Sequence, residues 1–324
     1  MKKQNIIFCT YFNKNYLFKG LALHASLLKH NPWVKIWILC MDTYTKNILD
    51  SMKLKGVTTI SLVNFEDKEL LKAKKTRSLV EYYWTCTPSL PLFIFNNCLQ
   101  VEKVVYLDAD LYFYSSINPA FEELGNKSIL TVESRYPKGQ EIRIKTSGRF
   151  NVGFQIFNRD KESLMCLKRW RKQCLKWCYW RLEDGKLGDQ LYLNEWPRLY
   201  KNLVISQNLG INAAPWNISQ YKICEKDRNV YLNDDKLICY HFHQYDIINE
   251  NNFEYSSGYR LSKDLIKYVY KTYEIEIKRQ IKFIKSIDED FKIVPHKKNI
   301  KENIRGRLIK LFGPIYWDLL SILR

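Results

Sequence analysis

Strand-like and helix-like runs alternate over the first third of the chain, and this alternation constrains the fold more than any other feature. The runs "NIIFCTYF" (5–12), "VKIWILCMD" (34–42) and "GVTTISLV" (56–63) are β-rich, whereas "NYLFKGLALHASLLKHNP" (15–32) has helical spacing and ends at a proline. Strands that alternate with helices in this way form a parallel sheet covered by helices. The sequence therefore predicts an α/β fold.

A further strand, in "VEKVVYLDADLYFYSS" (101–116), runs into two carboxylates, Asp108 and Asp110. Ligands bind at the carboxyl ends of the strands in sheets of this class. Two aspartates separated by one residue can direct oxygens at one hard cation such as Mg²⁺ or Mn²⁺, which can in turn bridge the phosphates of a nucleotide-sugar. A D-x-D pair also occurs by chance in solvated loops, but both flanks of this pair are apolar, which favours a metal site.

The rest of the chain adds strands and helices in a less regular order. Strands are predicted at 128–134, 150–160 and 236–243 ("KLICYHFH"), and a short helix begins at "GDQLYLNEWP" (188–197). A long helix is predicted over 161–182, with an apolar face formed by Leu164, Leu167, Trp170, Cys174 and Trp177. Beyond about residue 255 the chain is mostly helical and basic, so we predict two regions, 1–254 and 255–324.

Composition excludes several classes of protein. Hydrophobic residues make up 46% and aromatic residues 15% of the 324 residues, which excludes a disordered chain. The 52 Lys and Arg against 34 Asp and Glu give a net charge of +18, which predicts affinity for an anionic partner. Nine cysteines without a CxxC pair indicate reduced core residues. No run approaches the roughly 20 apolar residues of a membrane span, and no signal peptide is recognised, so we expect a cytoplasmic protein.

Four segments, in this order, carry a resemblance to a known family. They are "CTYFNKNYLFKGLALHASL", "VVYLDADLYFYSSI", "FNVGFQIFN" followed by "GDQLYLNEW", and "LICYHFHQY". In this order the chain resembles the GT-A-fold nucleotide-sugar glycosyltransferases, in particular the group that includes glycogenin and the bacterial lipopolysaccharide galactosyltransferases. The resemblance spans residues 5 to 245. It implies a Rossmann-like mixed sheet and the transfer of a sugar from a nucleotide diphosphate, usually UDP.

The resemblance also implies a metal centre for Mn²⁺ or Mg²⁺. Asp108 and Asp110 are its carboxylate ligands, with Asp108 also near the ribose. His241 is the third protein ligand, and His243 is the alternative, since both histidines are predicted on the same face of the late strand. A histidine on an apolar strand is more often a core residue, so the choice between the two stays open.

Further residues match positions that line the donor site in this family. Asp189 and Gln190 are implied to lie beneath the transferred sugar, and Asn151 joins them as a catalytic candidate. Gly153 is expected where the strand passes close to the sugar. Contacts with the nucleotide or its phosphates are implied for Thr10, Tyr11, Asn15 and Arg77.

The chain also departs from the glycogenin-like pattern. That group follows its late histidine with a glycine and then a Lys-Pro-Trp that holds the diphosphate, whereas this chain has "HFHQYDI". The diphosphate-binding lysine is therefore missing or supplied from elsewhere. We expect a sister family that serves bacterial surface polysaccharides such as lipopolysaccharide or capsule, with retention of the anomeric configuration. An inverting enzyme would need a carboxylate base, for which Asp189 and Glu81 are the candidates.

Aromatic and basic residues suggest further contacts. Trp84 and Trp216, close to prolines, are candidates to stack on a sugar ring, although core packing is the more common role of tryptophan. The segment 296–324 combines basic residues with Trp, Leu and Ile, a pattern typical of a helix that lies in a membrane interface. Packing on the main domain or an oligomer contact is the alternative. A lipid-linked glycan acceptor favours the peripheral membrane contact.

Other functional classes fit the sequence less well. A nucleic-acid protein is compatible with the charge, but zinc spacings and aromatic platforms are missing, so no nucleic-acid partner is expected. The residues after the second aspartate, Leu111 and Tyr112, do not match an aspartate-nucleophile phosphohydrolase, and "CTYFNKNYL" lacks the glycine-rich loop of a nucleotidyltransferase. A non-catalytic glycan-binding relative is disfavoured because Asp108, Asp110, Asp189 and both histidines are retained.

Overall fold

A seven-stranded mixed sheet lies at the centre of the molecule, in a computed structural model that describes residues 5–249 and 252–295. Its strands are β1 (Ile6–Phe12), β2 (Ile36–Cys40), β3 (Val57–Ser61), β4 (Lys103–Leu107), β6 (Ile129–Glu133), β7 (Phe150–Asn158) and β8 (Leu203–Ile205), in the order β3-β2-β1-β4-β7-β6-β8. The four strands β1 to β4 are parallel, as the alternation predicts. The strand β7 runs antiparallel to both β4 and β6, which gives the mixed sheet that the family resemblance implies.

The order of the strands reverses between β1 and β4. From β1 the chain proceeds through β2 to β3 on one side and returns to place β4 on the other. The pairing of β1 with β4 ends at Cys9 and Tyr106, so the last residues of β1 and the residues after β4 diverge. Such a switch point is where α/β sheets bind ligands. Asp108 and Asp110 directly follow β4 and therefore lie at this opening.

Helices cover both faces of the sheet. They are α1 (Leu17–His30), α2 (Thr43–Met52), α3 (Leu62–Phe65), α4 (Lys68–Lys74), α5 (Leu79–Cys86), α6 (Ser89–Asn97), α7 (Asn118–Leu124), α8 (Ile142–Thr146), α9 (Lys161–Lys176), α10 (Trp196–Leu199), α11 (Lys263–Leu265) and α12 (Lys271–Lys285). Short 3₁₀ turns occupy Lys14–Tyr16, Leu191–Glu195 and Ile218–Gln220, and Ile266–Tyr270 forms a π-helical turn. Successive side chains of β1 point to opposite faces of the sheet. Ile7 belongs to the apolar core on one face and Phe8 to the apolar core on the other.

The long helix α9 is shorter than its sequence pattern predicts. It begins at Lys161, where the side chain of Asp160 accepts a hydrogen bond from the Ser163 backbone, and it ends at Lys176 instead of continuing to 182. Trp177 has extended backbone angles, and its backbone N–H still bonds the Gln173 carbonyl. The predicted apolar face is confirmed in its centre, where Trp170 packs edge-on against Trp196 with ring centroids 5.3 Å apart.

Small sheets complete the second half of the chain. Their strands are β5 (Leu111–Phe113), β9 (Ile223–Lys226), β10 (Asn229–Leu232), β11 (Asp235–Lys236), β12 (Cys239–His241), β13 (Asp246–Asn249) and β14 (Asn252–Glu254). The single strand predicted over 236–243 is thus two short strands, β11 and β12, and His243 lies beyond the end of β12. Antiparallel pairing of β12 with β5 sets His241 opposite Leu111, next to Asp110.

The described part of the C-terminal region packs on the main sheet domain. Tyr273 of α12 stacks on Phe242 with ring centroids 3.7 Å apart, and Tyr114 donates a hydrogen bond to the Val269 carbonyl. In residues 5–249 and 252–295 no helix has the length and apolar character needed to cross a bilayer. The boundary at residue 254 stays a prediction, and the proposed membrane-interface segment, 296–324, lies outside the described residues.

The contact between α1 and β1 depends on a glycine. A methyl group added at Gly20 would lie 2.1 to 2.6 Å from three ring carbons of Phe12, which is itself buried. We therefore expect Gly20→Ala to lower the free energy of unfolding by about 1–3 kcal/mol, because the packed core resists added volume. Gly258→Ala is the control, since its methyl would meet only the flexible end of Gln244, at 3.0 Å. Denaturant unfolding of both variants measures the difference, and equal stability of the two would contradict the packing argument.

Candidate active site

Asp108 and Asp110 lie in a turn that three backbone hydrogen bonds hold in place. The backbone N–H of Asp108 donates to the Gly153 carbonyl of β7 over 2.9 Å, and the backbone N–H of Phe242 donates to the Asp110 carbonyl over 2.9 Å. The N–H of Leu111 closes the turn on the Asp108 carbonyl. Both carboxylates are thereby fixed at the switch point between β1 and β4.

His241 completes a three-residue cluster with the two aspartates. Its Nε2 lies 3.1 Å from Oδ1 of Asp110 and 3.7 Å from Oδ2 of Asp108. One ligand atom from each of the three side chains lies within 4.8 Å of the others, and the described part of the chain contains no second such group. Two carboxylate oxygens and one imidazole nitrogen are a suitable ligand set for Mn²⁺ or Mg²⁺. The cluster contains His241 and not His243.

Opposite charges hold the cluster together. Burial acts to lower the pKa of His241, but the Asp110 carboxylate outweighs it and raises that pKa above its ordinary value. Burial acts to raise the pKa of Asp110, and His241 and Lys19 more than offset it, so this pKa lies well below the usual range. The pKa of Asp108 is raised by its poorly hydrated surroundings and by the charge of Asp110, against the effect of His241. The site thus favours a positive charge between its carboxylates.

Asn212 orients the histidine, and sequence reasoning missed it. Its Oδ1 lies 3.2 Å from Nδ1 of His241, and its Nδ2 donates to Oδ1 of Asn151 over 2.9 Å. If Nδ1 carries the proton that Asn212 accepts, Nε2 faces the carboxylates, the arrangement that supports metal-bound histidines elsewhere. The φ angle of Asn212 is +55°, a left-handed conformation that asparagine tolerates well. An asparagine in "GINAAPW" gives no sign of this role until the fold brings it to His241.

Gly153 is required by the cluster itself. A Cβ atom at this position would lie 2.7 Å from Cε1 of His241 and 2.9 Å from both Oδ2 of Asp108 and Oδ1 of Asn151. No rotamer change of a new side chain relieves that contact, because the Cβ atom itself is too close. The glycine predicted to give room for the sugar also gives room for the carboxylates and the imidazole.

Asn151 and Gln190 form a hydrogen-bonded pair beside the cluster. Gln190 Oε1 accepts from Nδ2 of Asn151 over 3.0 Å and from the Val152 backbone N–H over 3.3 Å, and its Nε2 donates to the Ser147 carbonyl. Asn151 Oδ1 accepts from the Gly153 N–H over 3.0 Å. The two amides are therefore fixed in orientation.

Asp189 is the most buried carboxylate of this region, with 6% of its surface exposed. Burial raises its pKa to about 7; a hydrogen bond with Thr87 opposes the shift and the charge of Asp108 adds to it. Its backbone carbonyl accepts from the indole N–H of Trp170 over 2.9 Å. This carboxyl group therefore titrates near neutral pH, a property typical of functional sites.

Two tyrosines lie between Asp189 and the metal-ligand candidates. The hydroxyl of Tyr11 is 3.0 Å from Oγ1 of Thr87, and Tyr106 donates to Oδ1 of Asp108 over 2.8 Å. The rings of Tyr11 and Tyr106 are 6.1 Å apart. Tyr11, at the carboxyl end of β1, and Tyr106, at that of β4, thus provide polar groups between Asp189 and Asp108.

The other residues expected near the donor have mixed surroundings. Thr10 is fully buried, and its hydroxyl has no hydrogen-bond partner among the described residues. Asn15 is exposed in the 3₁₀ turn that joins β1 to α1. The guanidinium of Arg77 lies 3.8 Å from the ring centre of Tyr179 and donates to the Leu175 carbonyl.

Glu81 and the two tryptophans have structural contacts. Both carboxylate oxygens of Glu81 accept backbone hydrogen bonds, from Trp180 and from Ser78 at the start of α5, each over 2.8 Å. Trp216 is 7% exposed and packs edge-on against His241 at 5.1 Å and His243 at 5.5 Å. Trp84 contacts the backbone position of Gly188, whose added Cβ would lie 3.0 Å from its ring. These contacts favour support of the site over sugar stacking for Trp216.

Sequence comparisons place this chain among known relatives. The sequence model of glycosyl transferase family 8 matches residues 5–203. Two uncharacterized proteins of Bacillus subtilis (strain 168) are similar over nearly the whole chain. YfnD is 31% identical over 88% of this chain and 92% of its own length. YfnF is 32% identical over 88% of this chain and 95% of its own length.

Solved structures share the fold at low sequence identity. The galactosyltransferase LgtC, solved in complex with donor and acceptor sugar analogs, matches 84% of this chain and 95% of its own with a TM-score of 0.51 and 14% identity. The glycosyltransferase GlyE of Streptococcus pneumoniae TIGR4 matches 87% of this chain and 64% of its own with a TM-score of 0.51 and 15% identity. These matches confirm the predicted fold.

Burial of Asp189 predicts a pH dependence of stability. Its pKa is about 7 in the folded chain and about 4 in an unfolded one, so between these values the folded state holds a proton that the unfolded state has lost. The contribution of Asp189 to the free energy of unfolding therefore falls as the pH rises from about 4 through 7 and is constant above that range. In Asp189→Asn this contribution is removed.

Denaturant unfolding between pH 4.5 and 8 tests this expectation. The stability of Asp189→Asn relative to the parent should increase with pH and level off above pH 7. Asp184→Asn, the same change on an exposed carboxylate of the neighbouring loop, is the control. A difference between Asp189→Asn and the parent that does not vary with pH would refute the assignment.

Proposed function

The chain belongs to glycosyl transferase family 8, and from this premise we propose a metal-dependent transfer of a sugar from a nucleotide diphosphate sugar to a hydroxyl group of an acceptor. UDP is the proposed nucleotide and Mn²⁺ or Mg²⁺ the proposed ion. The observation that carries the proposal is the Asp108–Asp110–His241 cluster at the switch point between β1 and β4.

The ligand set fits a divalent ion. Asp108, Asp110 and His241 would hold it through two carboxylate oxygens and Nε2, with Asn212 fixing the imidazole from behind. When bound, the ion supplies positive charge that stabilises the departing nucleoside diphosphate. His243 is exposed beyond β12 and is the weaker candidate for the third ligand.

Polar groups beside the cluster are proposed to bind the transferred sugar. The amides of Asn151 and Gln190 are fixed by mutual and backbone hydrogen bonds, which suits them to hold sugar hydroxyls in one orientation. Asp189 lies close enough to Asp108 for their charges to interact, and as a carboxylate it would stabilise positive charge at the anomeric carbon. Thr10, Tyr11, Asn15 and Arg77 are proposed to contact the nucleotide or its phosphates.

We propose that the reaction retains the anomeric configuration. Glu81 is a poor general base, because both of its oxygens accept backbone hydrogen bonds at the start of α5. Asp189 is then the remaining candidate for an inverting mechanism, and its burial favours a role on the sugar over one on an exposed acceptor. The resemblance to the glycogenin-like group supports the same choice.

The acceptor is proposed to be a glycan or a lipid-linked glycan of a bacterial surface polysaccharide, such as lipopolysaccharide or capsule. LgtC, which shares the fold, was solved with donor and acceptor sugar analogs. The net charge of +18 supports contact with an anionic membrane surface from the cytoplasm. The basic segment proposed for that contact lies at 296–324, which also remains a candidate for an oligomer contact.

Binding of UDP tests the metal site. We expect UDP to bind the purified protein in the presence of Mn²⁺ and to lose most of its affinity without it or in Asp110→Asn, because one carboxylate ligand is removed. Titration calorimetry measures both. Asp184→Asn, which changes an exposed carboxylate outside the cluster, should bind like the parent. Equal affinity for UDP with and without Mn²⁺ would overturn the metal dependence.

The stereochemistry is accessible through slow hydrolysis of the donor. With a UDP-α-sugar as substrate and water as acceptor, we expect the α-anomer of the free sugar to form first. Proton NMR resolves the two anomers before they interconvert. A β-anomer as the first product would establish inversion and make Asp189 the candidate base.

A further inference from the structure

One buried cation, Lys19, lies beside the cluster. Lys19, in the first turn of α1, is 4% exposed, and its Nζ lies 4.2 Å from the ring centre of Tyr16. Among the residues that the structure describes, Lys19 forms no ion pair with a carboxylate. Lysine is almost never buried without a paired anion, because removing its charge from water is costly. Lys103, at the start of β4, is a second buried lysine of this kind, so the role of Lys19 has to be inferred from what lies near it.

The packing of α1 places Lys19 at the level of Asp110. Ser26 of α1 accepts a hydrogen bond from the backbone N–H of Phe113 over 3.0 Å, and Asn31, just after the helix, accepts one from the backbone N–H of Ile117 over 3.2 Å. The helix therefore runs along β5 in the same direction as the strand. Lys19 precedes Ser26 by two helical turns, about 10 Å on the same face, and Asp110 precedes Phe113 by three residues, up to about 10 Å. The positive charge of Lys19 is accordingly felt by Asp110 and by both histidines.

Charge balance shows what this cation can do. Two carboxylates cancel the charge of one divalent ion, so a metal centre built from Asp108 and Asp110 leaves the negative charge of a diphosphate uncompensated. The late segment from His241 to Asp246 contains no lysine or arginine to compensate it. The first turn of α1 contains no acidic residue and presents the positive end of the helix dipole. Lys19 adds a full positive charge at the same place.

We propose that Lys19 binds the diphosphate of the donor beside the Asp108–Asp110–His241 cluster, and that α1 thereby supplies the cation that this chain lacks after its late histidine. The assignment rests on the proposed function, since it needs a diphosphate at the cluster. In this role Lys19 stabilises the nucleoside diphosphate both in the bound donor and as the leaving group, as a charged donor of hydrogen bonds to phosphate oxygens. Attraction to Asp110 and Asp246 and contact with Tyr16 keep the ammonium in place before the donor arrives.

A purely structural role is the alternative. Lys19 could serve only to balance Asp110 and Asp246, in which case its loss would disturb the binding of the metal and of every nucleotide equally. A role on the diphosphate predicts a different pattern, because the loss should be largest for ligands with two phosphates and absent for the metal alone. A comparison of the loss of affinity across these ligands therefore distinguishes the two roles.

Calorimetric titrations of the full chain test the assignment. The variant Lys19→Met removes the charge at similar volume, Lys19→Arg keeps it, and Lys29→Met makes the same change at an exposed position of the same helix. The probes are Mn²⁺ alone, UDP with Mn²⁺, UMP with Mn²⁺, and inorganic pyrophosphate with Mn²⁺. Pyrophosphate is included because it reports on the diphosphate site whatever base the donor carries.

We expect Lys19→Met to lower the affinity for UDP and for pyrophosphate about 10- to 100-fold, the usual range for loss of a charge-assisted hydrogen bond. The affinity for UMP should fall much less. The affinity for Mn²⁺ alone should be kept, Lys19→Arg should recover part of the loss, and Lys29→Met should bind like the parent.

Two results would overturn the assignment. One is that folded Lys19→Met binds UDP and pyrophosphate with affinities within about twofold of those of the parent. The other is an equal loss for Mn²⁺, UMP and UDP, which identifies a structural role. If the parent binds neither UDP nor pyrophosphate with Mn²⁺, the proposed function itself fails, a result seen before any variant is used. Should Lys19→Met not fold, Lys19→Gln provides the same comparison.

Discussion

The attraction between His241 and the two aspartates is the interaction on which the rest of the structure depends. Asp108 and Asp110 are separated by a single residue. The repulsion between their carboxylates in a poorly hydrated site must be offset by a positive charge. Nε2 of His241 lies 3.1 Å from Oδ1 of Asp110, and each of these two groups shifts the pKa of the other toward its charged form. Breaking such a buried pair by removing one partner is costly, because the other charge is left without compensation. The fold therefore has to bring a residue from late in the chain to the end of β4 and hold it there.

Three packing arrangements satisfy that requirement. Pairing of β12 with β5 sets the backbone position of the histidine, Trp216 covers one side of its ring, and Asn212 fixes its Nδ1. Gly153 then keeps β7 from occupying the space that the imidazole and the Asp108 carboxylate need. None of these features contributes a metal ligand, yet each limits where Nε2 can lie. The precision of the site comes from the core that surrounds it.

Much of this arrangement follows from local sequence patterns, and the remainder depends on distant contacts. The parallel strands β1 to β4 and the position of Asp108 after a buried strand were predictable because strand and helix periodicities are properties of neighbouring residues. The end of α9 at Lys176 and the division of the late strand into β11 and β12 were not, because tertiary contacts override the local pattern there. Asn212 was missed because an asparagine in a loop acquires its role only when the fold places it against His241.

The proton on Asp189 and a cation at the cluster are linked through Asp108. The negative charge of Asp108 adds to the burial that raises the pKa of Asp189 to about 7. A cation held by Asp108 and Asp110 would cancel much of that repulsion, so it would favour the ionised form of Asp189. By the reciprocity of linked equilibria, ionisation of Asp189 would favour cation binding to the same extent. The hydroxyl groups of Tyr106, which donates to Asp108, and of Tyr11, which contacts Thr87, add orientable dipoles near the two carboxylates. A cation at the cluster would therefore lower the pKa of Asp189 from about 7 and make its ionised form the main one at neutral pH.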